Sequence, residues 1–135
     1  MGVDKCEKDL KTALLKIKDN DKLSAEEQRK VVKSAAHEMR TVAESLFKLI
    51  MCYHQEEHHY TVGNYDDLKL GNLTGPLKKT IYKYDFEQER IDEIPRLAND
   101  LSHDSGNPVD FKDLGSLYAD IIYFISDFKS HLGRK

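Results

Sequence analysis

The chain has little cysteine, little proline, no long apolar run and no large excess of charge of either sign. Its two cysteines, Cys6 and Cys52, are too few for a disulfide framework, and both are expected as reduced thiols. No uninterrupted apolar stretch approaches the roughly 18 residues that cross a bilayer. Met1 to Leu10 is charged, without the apolar centre of a signal peptide. A soluble, cytoplasmic protein with no membrane partner is therefore expected. The 21 Lys plus Arg face 24 Asp plus Glu, for a formal charge of −3. That near balance excludes a protein that holds nucleic acid through a generally basic surface. The charge is also uneven: residues 1–50 hold 11 basic and 9 acidic side chains, whereas residues 51–135 hold 10 and 15. Any nucleic-acid contact must be local.

What is present is enough for one domain of 135 residues. The hydrophobic fraction is 39% before the 7 glycines are added, an ordinary globular composition that can bury a core without a metal or disulfide. Its period is helical. Leu10, Ala13, Leu14 and Ile17 mark a first helix over roughly 4–18, ended by Asp19-Asn20-Asp21. Ser24 and Glu27 form a capping box before a long helix whose apolar positions, from Val31 through Met39 and Phe47 to Ile50, carry it to about Tyr53. Residues 54–67 read as a loop. Leu73, Leu77 and Ile81 predict a helix over roughly 73–84, with Pro76 tolerated in its first turn. Ile91, Ile94, Leu97, Ala98 and Leu101 predict another, kinked or restarted near Pro95. Asp110 resembles an N-cap, and Phe111, Leu114, Leu117, Tyr118, Ile121, Ile122, Ile125, Phe128 and Leu132 mark a final helix. No stretch alternates with period two. The expected fold is all-α, a single antiparallel bundle of four to five helices.

The segment Arg96-Leu97-Ala98-Asn99-Asp100-Leu101-Ser102-His103 is the one with chemistry in its spacing. A seven-residue step returns to within about 20° of the starting direction on a helix. Arg96 and His103 thus share a face with Asn99 and Asp100, while Leu97, Ala98 and Leu101 point elsewhere. Attack on a phosphodiester by its own 2′-OH needs a group that moves a proton near neutral pH and a fixed cation for the charge on phosphorus. His103 and Arg96 suit these tasks without metal, and Asn99 and Asp100 can orient the imidazole or hold the guanidinium. A solvated face with an Arg–Asp pair four residues apart has the same pattern.

Arg, six intervening residues and His, on the penultimate helix of a small bundle, followed by a Gly-Asn-Pro loop and a long amphipathic helix, resembles the HEPN superfamily with its Arg-X(4–6)-His motif. An earlier helix containing RTVAESLFKLI fits the same context. The resemblance implies a homodimer whose two motif helices face each other, placing Arg96 and His103 of both chains on RNA. Members act as toxins, in antiviral defence or in RNA processing. Others are catalytically inert adaptors that bind a protein partner or antitoxin. In HEPN toxins paired with a nucleotidyltransferase the motif is tighter and a Tyr follows the His by two; Ser105 stands there in this chain. A dimer would also gather Lys78, Lys79 and Lys83 with Arg96 around one cleft. No cofactor is expected.

A second group, Cys52, His54, His58 and His59, has some metal-ligand character but no second Cys pair and no HExxH order, so a His-rich loop is the expected reading and no metal is assigned. Cys52 is expected to be buried at its helix end, and neither it nor Cys6 is favoured as a nucleophile. Tyr82, Tyr84, Tyr118, Tyr123, Phe124 and Phe128 are expected mostly in the core or at a dimer face rather than stacking on bases.

Overall fold

The computed structural model describes residues 2–17, 22–53, 69–80, 88–102 and 111–132. Among them lie five helices and no strand: α1 (Gly2–Leu15), α2 (Ala25–Tyr53), α3 (Leu70–Thr80), α4 (Gln88–Ser102) and α5 (Phe111–Leu132). No helix among these residues is long and apolar enough to cross a membrane.

The α1 stripe is Val3, Cys6, Leu10 and Ala13, all buried, with Leu14 and Ile17 packed at its edge. Cys6 is therefore a core residue, while Cys52 is exposed, the reverse of the expected burial of Cys52. Near the end of α2 the inward positions are Ile50 and Met51, and one further 100° step turns Cys52 away. The first helix stops earlier than Asp19: the N–H groups of Lys16 and Ile17 bond to the carbonyls of Ala13 and Leu14, three residues back, tightening the last turn.

Ser24 caps α2 as its sequence predicts. Its hydroxyl accepts from the Glu27 N–H at 3.2 Å and donates to the Glu27 carboxylate at 2.9 Å. The α2 helix then touches every other helix. Residue 2 packs at the Leu49 end of α2, where a Cβ on Gly2 would come within 3.0 Å of the Leu49 side chain, and Lys16 pairs with Glu38. Those two contacts make α1 antiparallel to α2. The Phe47 and Phe124 rings meet edge-on at 5.6 Å, and those of Tyr53 and Phe128 at 5.6 Å, so α2 and α5 run parallel. Phe124 is fully buried, in keeping with its expected place among the core aromatics although the predicted apolar stripe of this helix did not include it.

The expected place of Pro76 changes, and a restart at Pro95 is excluded. The α3 helix begins at Leu70 rather than near 73, which leaves Pro76 in the helix interior and not in its first turn. Burial of Leu70 alongside Leu73 and Leu77 extends the apolar stripe by a turn and offsets the weak helix propensity of this Gly- and Pro-containing segment. The α4 helix does not restart at Pro95 but runs through it, with Ile91, Ile94, Leu97 and Ala98 buried on one side.

Candidate functional site

The α4 helix separates its residues as the spacing predicts. Leu97 and Ala98 are buried and Leu101 packs on the core, while Arg96 and Asp100 are exposed and Asn99 is half-buried. His103 and Ser105 lie outside the described residues, so the structure places three of the four expected site residues, Arg96, Asn99 and Asp100, on one outer face.

Arg96 is not idle on that face. Its Nη1 lies 3.5 Å from Asp100 Oδ2, which holds the guanidinium as expected. The stronger partner is Glu93, one turn back: Arg96 Nε donates to Glu93 Oε1 at 3.3 Å, and Nη2 donates to Oε2, a two-pronged pairing that matches the planar fork of the guanidinium to the carboxylate. These hydrogen bonds hold the Glu93 carboxyl below the usual glutamate range, and they raise Arg96 further above its own, with Asp100 and Asp113 adding to the field. Glu93 was missed because the motif is read from Arg96 toward His103. Its position three residues before Arg96 is itself an intrahelical pairing distance and was a legible signal.

The trio of Glu93, Arg96 and Asp100 carries two negative charges and one positive. Lys78, expected to add cationic character, pairs with Asp92 across the α3–α4 contact; the Lys79 side chain and Lys83 lie outside the described residues. The other arginine of α4, Arg90, lies 3.8 Å from Asp120 and over the Tyr123 ring at 5.1 Å. Tyr123 is 45% exposed, Phe124 and Phe128 are buried and Tyr118 is half-buried, so these α5 aromatics are mainly core. Tyr82 and Tyr84 lie outside the described residues.

Of the Cys52 group, His54, His58 and His59 lie outside the described residues, and among the described residues no three His, Cys, Asp or Glu side chains converge on a possible metal position. Burial, with Asp9 adding to it, raises the Cys6 thiol above its ordinary value, which suits a packing residue and not a nucleophile. Comparison with protein-family models, curated proteins and solved structures finds no match.

Proposed function

We propose that the protein is a metal-independent endoribonuclease of HEPN type, a toxin, defence or RNA-processing factor that acts as a homodimer. The observation that carries this reading is the outer face of α4, where Arg96, Asn99 and Asp100 project together with the apolar residues turned inward. His103 moves the proton as the 2′-OH oxygen bonds to phosphorus and the bond from phosphorus to the 5′-oxygen breaks. Arg96 holds the phosphate oxygens through that step. Substrate entry exchanges the surface pairs of Arg96 with Glu93 and Asp100 for a phosphate, an exchange made easier because exposed ion pairs are weak. Beyond Lys112, the exposed residues of the neighbouring α5 helix are uncharged, Gly115, Ser116, Ala119, Tyr123, Ser126 and Ser130, and this face suits a second copy.

The test is cleavage of unmodified RNA by purified protein in chelator. His103→Ala and Arg96→Ala should each slow it by about two to four orders of magnitude. Cleavage that survives both substitutions, or that depends on added divalent metal, overturns the mechanism.

A second reading, a catalytically inert HEPN-like adaptor for a protein partner, is favoured by the same ion pairs, which leave the Glu93–Arg96–Asp100 trio with a net negative charge. Wild-type protein that is folded and dimeric yet leaves RNA intact would support it.

A further inference from the structure

Among the described residues, three cations free to meet an anion stand in one row on α2. Arg29, Lys33 and Arg40 fall within about 40° of one another around the helix and span about 16 Å along it. Arg29 and Lys33 are exposed and Arg40 is half-buried. None of the three has an ion pair among the described residues, whereas α4 commits both of its arginines to carboxylates. The sequence explains the difference. From residue 28 to residue 43 the α2 helix contains one carboxylate, Glu38, which lies on the opposite side of the helix from the row and pairs with Lys16. The carboxylates bracketing the row are occupied by their own neighbours, Glu26 by Lys30 at 3.9 Å and Glu44 by Lys48 at 3.4 Å. An ordinary surface helix interleaves both signs four residues apart; this stretch does not.

We propose that the Arg29–Lys33–Arg40 row is a binding track for the phosphodiester backbone of single-stranded nucleic acid. A row of like charges along the helix axis, about 6 Å and then about 10 Å apart, fits a polymer with one charge per unit. The exposed residues around it, Lys30, Ser34, His37 and Thr41, are polar, so the track has no aromatic platform for bases and reads backbone without sequence preference. The same lack argues against the alternatives. A helix lying on a lipid surface inserts large apolar side chains, and along the row those of α2 are in the core, the exposed Tyr53 lying thirteen residues beyond Arg40; a protein interface is anchored by buried aromatic or aliphatic residues, which this face does not offer. The proposal goes beyond cleavage and requires neither Arg96 nor His103.

Fluorescence anisotropy with a short labelled 2′-O-methyl oligouridylate tests it, because a strand without free 2′-OH groups cannot be cut by internal attack and so reports binding alone. Three phosphate contacts predict a dissociation constant of about 1–100 μM and a slope of log affinity against log salt of about −2. The triple variant Arg29→Gln, Lys33→Gln, Arg40→Gln should lose about tenfold or more in affinity and most of that slope. A control with the same charge change off the row, Lys5→Gln, Lys8→Gln, Lys69→Gln, should stay within about twofold, since only local contacts release counterions. Gln preserves helix propensity, and circular dichroism checks that both variants fold. Equal losses in the two variants, no binding by the wild type, or row-dependent sedimentation with phosphatidylserine vesicles but no oligonucleotide binding would each overturn the proposal. RNA cleavage, measured separately, can fail without affecting this result.

Discussion

The outer faces of α2 and α4 both carry arginine, and they use it in opposite ways. On α4, Arg96 lies between Glu93 and Asp100, and Arg90 lies beside Asp120. On α2, Arg29, Lys33 and Arg40 stand in a row with the carboxylates at its two ends, Glu26 and Glu44, already paired with Lys30 and Lys48. Net charge is a sum over the chain and does not distinguish these cases. What decides whether a cation can hold a phosphate is the spacing of carboxylates around it, because a guanidinium already paired must give up one set of hydrogen bonds to gain another. The α4 face suits a transient, oriented phosphate contact, and the α2 face suits a standing, unselective one.

The largest way to break this comparison is to remove what holds both faces in place. Phe47 and Phe124 are fully buried and lock α2 to α5, on which α4 packs. Phe124→Ala should cost about 3–5 kcal/mol of stability through lost burial and the cavity left behind, measured as a lower urea midpoint. A destabilisation below about 1 kcal/mol would mean that the pair does not organise the core.

A smaller change should invert the comparison. In the background lacking the α2 row, Glu93→Gln with Asp100→Asn leaves the Arg96 guanidinium without its carboxylates and makes α4 resemble α2. Oligonucleotide affinity should then recover in part, by less than about tenfold, since a single cation releases a single counterion. No recovery would show that Arg96 lies where a strand cannot reach it.

Much of this was legible in the residues. The helical period placed all five elements, and Ser24 with Glu27 fixed the start of α2. The split between Arg96 with Asp100 and Leu97 with Ala98 followed from 100° per residue. What escaped depended on the third dimension. Of the two outcomes that Pro95 left open, the restart does not occur, since the local penalty of proline is set against burial of Ile91, Ile94, Leu97 and Ala98 along the same helix. Cys52 is exposed where burial was expected, because the inward direction at a helix end depends on which neighbour packs there. The availability of Arg29, Lys33 and Arg40 was hidden for another reason: Glu26 lies three residues before Arg29 and Glu44 four after Arg40, both pairing distances, and only the structure shows them with Lys30 and Lys48 instead.

The smallest effects lie in the carboxyls that these pairs hold. Hydrogen bonds from Arg96 lower the Glu93 pKa in the folded chain, so the pair contributes above the unfolded glutamate value of about 4.3 and is lost as pH falls through the lower folded value. The Glu93 side chain is about half exposed, and the effect belongs in a titration curve more than in stability. An NMR titration should place the Glu93 midpoint below about 4.3, and Arg96→Gln should return it toward that value. Glu7 differs in having two donors: Lys129 of α5 at 2.9 Å lowers it most and Lys11 at 3.3 Å adds to this. Lys129→Gln should therefore return Glu7 only part of the way toward its ordinary value, with Lys11→Gln in the same chain returning the rest. A full return on losing Lys129 alone would mean that Lys11 does not hold Glu7.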